Sequence, residues 1–240
     1  MIRLENVSLT FRGQSGAQSL RQTLAGLIQR KKVLLPGSVK ALRDLNIEVV
    51  HGERLGVIGL NGAGKTTLLK VMCGIYPPSS GRVTVQGDIA CLFEIATGFE
   101  MEATGWENIT TRGLLIGLTP REIRSRTQEI AEFTELGDAL DRPVKTYSAG
   151  MFLRLAFAVS TAMQPDVLLL DEVVAAGDQR FQEKATRRLE EMVAHASILV
   201  LVSHSMDTIL ANCTRVIWLE AGQVRMDGPA EEVVAAYQAS

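Results

Sequence analysis

The sequence predicts an α/β fold in which a parallel core sheet is joined by a smaller antiparallel β lobe and an inserted helical lobe. Three observations lead to this prediction. A glycine-rich segment, 59–66, stands between a strand pattern and a helical pattern. Short apolar runs, typical of buried strands in a parallel sheet, occur at 167–170 and 198–202, with a helical pattern at about 182–194 between them. Residues from about 100 to 163 have helical periodicity.

Strand patterns in the N-terminal part of the chain flank an insertion. Residues 2–11 and 40–58 alternate or run apolar, as strands do. Between them, at about 13–39, apolar residues recur at helical spacing among basic ones, which predicts a short basic amphipathic helix. The apolar positions are Leu20, Leu24, Leu27 and Ile28, and the nearby basic ones are Arg21, Arg30, Lys31 and Lys32. The stretch 12–43 contains seven Lys or Arg and no acidic residue.

Turn signals delimit the remaining strands. A turn at 77–81 precedes strand patterns at 82–85 and 89–94. Near the C-terminus, two strand patterns at 216–226 surround Glu220-Ala221-Gly222 in the manner of a hairpin, and a last helix begins at Ala230.

Two capping boxes mark helix starts inside the helical lobe. Thr104 and Glu107 have the spacing of such a box, and so do Thr119 and Glu122. The second box has Pro120 at the first helical position, where a missing N–H costs nothing.

The phosphate-loop pattern G-x-x-x-x-G-K-[ST] occurs in full at 59–66. It follows a strand pattern at 54–58 and opens a helical one at 66–71, which favours a phosphate site over an ordinary glycine-rich turn. Converging backbone N–H groups and the helix N-terminus would bind phosphate oxygens, while Lys65 would reach the terminal phosphates and Thr66 would ligate Mg²⁺. A nucleoside triphosphate is therefore the predicted ligand. The predicted nucleotide-binding residues here are Gly59, Leu60, Asn61, Gly62, Ala63, Gly64, Lys65, Thr66 and Thr67.

Carboxylates and a histidine follow the buried strand patterns. Asp171 and Glu172 come directly after one of them, and their side chains point to opposite sides of an extended chain. Asp171 is expected to hold Mg²⁺ and Glu172 to act on the attacking water. His204 ends the next strand pattern, where it would face the γ-phosphate. Asp178 follows shortly after Glu172 and is either part of the site or a helix cap before Phe181.

Small residues begin an apolar helix after Tyr147. Ser148 is the predicted N-cap, and Ala149 and Gly150 would expose backbone N–H groups to an anion. A plain capped core helix is the alternative.

Composition limits the location and partners of the chain. With 46% apolar residues and a net charge of −2 in 240 residues, the chain can bury a full core and offers no electrostatic case for nucleic acid. Cys73, Cys91 and Cys213 are widely spaced, which favours buried thiols in a reducing compartment over disulfides or a metal site. No run is long enough to span a membrane, so we expect a cytosolic protein whose membrane role depends on a partner.

In the order and spacing of these motifs, the chain resembles the ATPase subunit of an ABC transporter over nearly its whole length. The resemblance implies a single ATPase domain over 1–240 that binds ATP and Mg²⁺ and hydrolyses ATP. It also implies a homodimer that forms on ATP binding. In that dimer, Ser148, Ala149 and Gly150 would stand at the L-S-G-G-Q signature and face the nucleotide of the opposite subunit. Ser148 and Gly150 match the signature, whereas Tyr147, Ala149 and Met151 depart from it.

Three further residues acquire roles from this resemblance. Phe11 is similar in position to the aromatic residue that stacks on adenine, although a core phenylalanine at a strand end is the alternative. The Asp178 segment resembles the loop by which paired subunits communicate. Glu94 stands where the family has a metal-contacting glutamine, and its carboxylate could still ligate the metal.

Segments 94–108 and 173–178, with the insertion after Phe11, are similar to those of exporters of O-antigen, capsular polysaccharide and teichoic acid. This branch implies that the chain powers export of a lipid-linked polysaccharide through a separate integral membrane subunit, expected in two copies. The ATPase would be peripheral on the cytoplasmic face of the bacterial inner membrane. The basic insertion would then lie near the channel entrance, in contact with the membrane subunit or anionic headgroups, unless it is only a surface helix packed on its own domain.

Other functions are less consistent with the motifs. A soluble ABC ATPase of translation or DNA repair commonly has two cassettes or a long coiled-coil insertion. A phosphate-loop kinase or GTPase gives no reason for the segment 147–151 or for His204. A structural nucleotide-binding module would not need Lys65, Asp171 and Glu172 together. An ABC ATPase for another cargo stays open.

Overall fold

A computed structural model describes residues 1–11, 37–93, 95–171 and 178–240. They divide into two units, of which the first comprises Met1–Val50, Gly56–Gln86 and His204–Ser240 and the second comprises His51–Leu55 and Gly87–Ser203. The predicted basic insertion up to residue 36, Glu94, and the segment 172–177 with Glu172 lie outside the described residues.

The strands are β1 (Ile2–Phe11), β2 (Val39–Val49), β3 (Arg54–Ile58), β4 (Ser80–Val85), β5 (Ile89–Leu92), β6 (Val167–Asp171), β7 (Ile198–Val202), β8 (Arg215–Glu220) and β9 (Gln223–Pro229). The α-helices are α1 (Lys65–Met72), α2 (Gly105–Leu115), α3 (Pro120–Thr134), α4 (Ala149–Ser160), α5 (Gln179–His195), α6 (Met206–Asn212) and α7 (Ala230–Gln238). Short 3-10 helices occupy Gly137–Asp141 and Val144–Thr146.

The predicted antiparallel β lobe is present in the first unit. β1 pairs antiparallel with β2 on one side and with β4 on the other. Alternation along β1 buries Ile2, Leu4, Val7 and Leu9 and leaves intervening positions more exposed, as one-sided burial of an antiparallel sheet requires. The predicted C-terminal hairpin is also confirmed, since β8 and β9 pair antiparallel around Ala221 and Gly222, both with positive φ.

Parallel strands form the core of the second unit. β5, β6 and β7 are neighbours in that order and run parallel, with Leu168 opposite Leu199. β7 is buried along its whole length, and β6 is buried up to its last residue, Asp171. This continuous apolar burial is typical of parallel strands covered on both faces, and it confirms the predicted fold class.

Helices α2, α3 and α4 of the second unit pack around an apolar cluster that includes Ile109, Ile130 and Leu155. Three rings anchor it, because Phe181 meets both Phe133 and Phe157 edge to face at centroid distances of 5.8 and 6.0 Å. Both predicted capping boxes are formed, at Thr104 and at Thr119, and Pro120 is the first residue of α3. We refer to α2–α4 as the helical lobe.

Several predicted boundaries need correction. The strand predicted at 54–58 is confirmed as β3, and the rest of the strand region 40–58 forms β2, which a turn at 50–53, with Gly52 at a φ of 84°, separates from β3. The strand predicted to reach Glu94 ends at Leu92. α5 begins at Gln179 rather than 182, since Asp178 caps it. Helix α6 was not predicted, because its seven residues are too few to establish a period.

The prediction of buried thiols holds for Cys213 only. Cys73 and Cys91 are half-buried. Across the part of the chain that the structure describes, no helix combines the length and apolarity needed to cross a bilayer.

Candidate functional site

The phosphate loop has the backbone shape that its glycines allow. It leaves β3 at Gly59 and enters α1 at Lys65, with Gly59, Gly62 and Gly64 at φ values of 147°, 80° and 106°. At Gly59 a Cβ would lie 2.2 Å from the Leu219 carbonyl oxygen, so a side chain is excluded by packing as well as by conformation. The loop is also fixed to the β8–β9 turn, because Gly222 N donates to Ala63 O at 2.9 Å.

Lys65 extends back into this loop. Its Nζ donates to the carbonyl oxygens of Gly59 at 2.7 Å and Leu60 at 3.2 Å, and the residue is only 7% exposed. A cation is thus held among the loop's own carbonyls, where phosphate oxygens could replace these acceptors. Thr66 follows it in the first turn of α1.

Phe11 ends β1 as a partly exposed ring. It is 39% exposed and meets Tyr76 edge to face, with centroids 5.3 Å apart and an interplanar angle of 81°. Ser79, three residues after Tyr76, accepts from Thr10 N and donates from its own N to Ser8 O. Phe11 is therefore a supported surface aromatic rather than the buried core residue that the alternative required.

Asp171 and His204 each follow a buried parallel strand. Asp171 ends β6 as a half-buried residue and pairs in register with Val202 of β7. His204 comes two residues after Val202 and is exposed. Glu172 and Glu94, the other two predicted acidic site residues, lie outside the described residues.

The Ser148 segment caps helix α4 as predicted. Ser148 Oγ accepts a hydrogen bond from Met151 N at 3.2 Å, and Ser148 and Ala149 are exposed. A Cβ at Gly150 would meet, among the described residues, nothing nearer than Ser148 Oγ at 4.0 Å. Packing within the described chain therefore gives no reason for a glycine in this first helical turn, where alanine would be more stable.

Tyr147 accounts for one departure from the signature pattern. Its hydroxyl donates to Ala139 O at 2.8 Å, and burial raises the pKa of the half-buried phenol. The ring also packs close to Gly105, where an added Cβ would lie 2.5 Å from the hydroxyl. Tyr147 thus anchors the segment before α4 to the helical lobe.

A cleft beside Ser148 contains charged residues that sequence reasoning missed. It has a volume of about 470 Å³, and its lining includes Glu135, Arg142, Ser148, Gly150, Arg154 and Asp178. Arg154 binds the Asp178 carboxylate, and Asp178 Oδ1 also accepts from Phe181 N at 3.0 Å. Asp178 is therefore the helix cap that was one of its two predicted roles. It also lines this cleft. Arg154 is the one charged residue within the apolar helix α4, and this was the sequence feature that could have indicated a functional role.

Chemically, the described residues provide an anion site in the first unit and a carboxylate at a strand end in the second. Left-handed glycines, a buried lysine and a helix N-terminus together suit a chain of phosphates. The hydroxyl of Thr66 and the carboxylate of Asp171 are oxygen donors of the kind that Mg²⁺ prefers.

Two relatives match most of the chain. It is 42% identical over 200 residues to the O-antigen export system ATP-binding protein RfbB of Myxococcus xanthus, which covers 83% of this chain and 46% of RfbB. It is 37% identical over 238 residues to the teichoic acids export ATP-binding protein TagH of Listeria innocua, or 97% of this chain and 70% of TagH. The chain thus spans less than half the length of RfbB.

A solved structure has the same fold. The dimeric, post-hydrolysis state of an ATP-binding cassette bound to ADP and Pi superposes with a TM-score of 0.68 at 21% identity, covering 96% of this chain and 99% of that one. The ABC transporter family model matches residues 42–175, more than half of the sequence, from β2 past the end of β6. The chain therefore belongs to the ABC transporter family.

Proposed function

We propose that this chain is the ATP-hydrolysing subunit of an ABC exporter. Two copies would pair around two Mg·ATP and power export of a lipid-linked polysaccharide, such as O-antigen or a teichoic acid, through an integral membrane subunit. The observation that carries the ATPase part is the phosphate loop with buried Lys65 already directed at its carbonyls.

Nucleotide binding follows from exchange of hydrogen-bond partners at that loop. Phosphate oxygens carry full negative charge, so they are stronger acceptors for Lys65 than the carbonyls of Gly59 and Leu60. The backbone N–H groups at the start of α1 add the positive end of the helix dipole. The adenine would stack on the partly exposed ring of Phe11.

Mg²⁺ would be held by Thr66 and Asp171. Mg²⁺ bound with phosphates usually takes only one or two protein carboxylates, its remaining ligands being phosphate oxygens and water. The described residues contain no cluster of three or more His, Cys, Asp or Glu that could hold a metal by themselves, and this mode of binding needs none. The ion would neutralise charge on the phosphates.

Hydrolysis would depend on positioning and charge neutralisation. Glu172, following Asp171, would accept a proton from the attacking water, and His204 would donate a hydrogen bond to the γ-phosphate. Lys65 would stabilise the charge that builds on the transferred group.

Pairing of two copies would complete each site. Ser148 and Ala149 are exposed, and the described chain leaves open space at Gly150, so another molecule can approach this helix start closely. A γ-phosphate bound to the opposite copy would accept hydrogen bonds from the Ser148 hydroxyl and from N–H groups at the start of α4.

The cargo and the location rest on the relatives. Both are named as export ATP-binding proteins, for O-antigen in one case and for teichoic acids in the other. A chain in the same role would lie on the cytoplasmic face of the membrane, bound to two copies of the transport subunit. The basic segment before β2 would help it to contact that subunit or anionic headgroups.

Deletion and complementation in cells that encode the chain tests this function. Cells lacking the gene should lose their surface polysaccharide and accumulate its lipid-linked form inside. The wild-type gene and a control with the surface substitution Lys145→Ala should restore export, whereas Lys65→Ala should not. Normal surface polysaccharide in the deletion strain would assign the ATPase to another cargo.

A further inference from the structure

We propose that Arg154 is a positioning residue that sets the orientation of the Ser148 end of α4 through an ion pair with Asp178 at the start of α5. This inference rests on the proposed function, because it concerns the face that α4 would present to a second copy. It adds a residue, and a physical link, to that composite site.

Arg154 is surrounded by groups that suit its charge and its flat side chain. Its guanidinium binds the Asp178 carboxylate and lies 3.5 Å from a carboxylate oxygen of Glu135. It also stacks over the ring of Phe181, 5.0 Å from the centroid. The Arg154 side chain is only 18% exposed, whereas the side chains of Glu135 and Asp178 are 32% and 58% exposed. Water therefore screens the Asp178 pair in part and the Glu135 contact less.

Asp178 uses its two carboxylate oxygens for different purposes. Oδ1 caps α5 by accepting from Phe181 N at 3.0 Å, and Oδ2 accepts from Arg154. The backbone hydrogen bond, followed by the arginine, lowers the pKa of Asp178, so the carboxylate stays ionised. The first described residue after Glu172 is thereby fixed to α4.

Glu135 brings a third element to the same point. It ends α3 in the left-handed conformation, at a φ of 56°, and binds Lys184 of α5 at 3.1 Å. The hydrogen bond from Lys184 lowers the pKa of Glu135, which therefore also stays ionised. The end of α3, the second turn of α4 and the start of α5 thus meet at Arg154.

The geometry connects this cluster to Ser148. Arg154 is six residues after Ser148, which corresponds to about 9 Å along the helix axis. Both residues line the same cleft, together with Gly150 and Asp178. A change in the angle between α4 and α5 would therefore move the Ser148 hydroxyl. A purely structural role would instead cost only stability of the helical lobe, and the two roles predict different outcomes.

Arg154→Ala and Asp178→Asn separate these roles. The asparagine can still cap α5 but cannot pair with the guanidinium as an ion. Arg188→Ala is the matched control, because Arg188 also combines an ion pair, with Glu129 at 2.7 Å, and a ring contact, with Phe133 at 4.9 Å. All three variants keep the phosphate loop intact.

Dimerisation, turnover, ATP affinity and melting temperature are measured on each variant. ATP-driven dimerisation is followed by light scattering in the Glu172→Gln background, and kcat and KM are measured without that substitution. Arg154→Ala and Asp178→Asn should each weaken dimerisation and lower kcat by about tenfold, the value of one charge-assisted contact. ATP affinity of the dilute monomer should stay unchanged, and Arg188→Ala should dimerise and turn over normally even if its melting temperature falls.

Two other outcomes would overturn the proposal, and they distinguish failure of the Arg154 inference alone from failure of the composite site. Normal dimerisation and kcat in the well-folded Asp178→Asn variant would reduce Arg154 to a structural residue, whatever Arg154→Ala does to folding. If Glu172→Gln alone fails to dimerise with ATP, and Ser148→Arg leaves turnover intact, the composite site fails and this inference fails with it.

Discussion

Lys65 closes the phosphate loop on itself, since its Nζ donates to the carbonyl oxygen of Gly59, the first residue of that loop, at 2.7 Å. The lysine therefore has hydrogen-bond acceptors within the loop itself and is nearly buried. Binding of a triphosphate would change the acceptors of an ammonium group that is already in position. Preorganisation of this kind lowers the entropic cost of binding.

Lys65→Ala is expected to weaken ATP binding itself by at least about tenfold, because one charge-assisted contact to the phosphates is worth roughly this much. Equilibrium titration with a fluorescent ATP analogue measures the change. Lys145→Ala removes a lysine from the exposed surface of the helical lobe and should bind normally. An unchanged dissociation constant for Lys65→Ala would contradict the role of the loop.

Glu172→Gln should have the opposite signature, since it removes a proton acceptor but no phosphate contact. Mg·ATP affinity should stay near that of the parent, and turnover should fall by a factor of about 100 or more, the usual effect of losing a positioned base. Stopped-flow binding and phosphate release separate the two quantities. Near-normal turnover would assign the base to another residue.

Gly150→Ala tests whether another molecule approaches the start of α4. A Cβ there meets open space among the described residues, and alanine favours a helix over glycine by up to about 1 kcal/mol, so the melting temperature should stay level or rise. Turnover should nevertheless fall, because the methyl group would occupy the surface on which the second copy packs. Gly228→Ala, also without a close neighbour, serves as the control. Full activity in Gly150→Ala would argue against a close approach at this surface.

The features that sequence reasoning predicted well are local. The phosphate loop, the capping boxes and the Ser148 cap each depend on residues at most a few positions apart, so a single segment contains the whole signal. The strands β6 and β7 were predictable because a continuous apolar run this short fits a buried parallel strand better than a helix.

The features that sequence reasoning missed depend on distant partners. Arg154 lies in an apolar helix, and nothing near it in the sequence indicates that Asp178, 24 positions away, is its partner. Tyr76 likewise meets Phe11 across 65 positions of sequence, where Ser79 joins the chain after α1 to the end of β1. The half-burial of Cys73 and Cys91 also depends on packing, which residue type does not determine.

The capping boxes give a prediction about acid stability. Hydrogen bonds from Thr104, first from its backbone and then from its hydroxyl, lower the pKa of Glu107 below its usual 4.5. Hydrogen bonds from Thr119, first from the hydroxyl and then from the backbone, do the same for Glu122. A carboxylate with a depressed pKa in the folded state stabilises the fold above its unfolded pKa, and this contribution is lost as the pH falls through the folded value.

The double variant Glu107→Gln/Glu122→Gln keeps acceptors for both caps but cannot be protonated. Its melting temperature should therefore decline less steeply than that of the parent as the pH falls below 4.5. The control Glu231→Gln/Glu232→Gln makes the same change of charge in the first turn of α7. If the melting temperatures of the parent and the capping-box variant fall equally with decreasing pH, the caps do not contribute to acid sensitivity.

The last prediction concerns the base of the nucleotide, for which Phe11 is the candidate platform. If adenine stacks on this ring, Phe11→Ala should weaken ATP binding by about fivefold, since an aromatic pair contributes on the order of 1 kcal/mol. Affinity for inorganic tripolyphosphate, which has no base, should not change. Val39→Ala, at the exposed β2 residue opposite Phe11, should leave the binding of both ligands unaffected.

Because Tyr76 supports Phe11 edge to face, Tyr76→Ala should reproduce part of the loss for ATP, and the effects of Phe11→Ala and Tyr76→Ala should not add. Equal losses for ATP and tripolyphosphate would instead mean that Phe11 acts through the fold around the phosphate loop and not through the base.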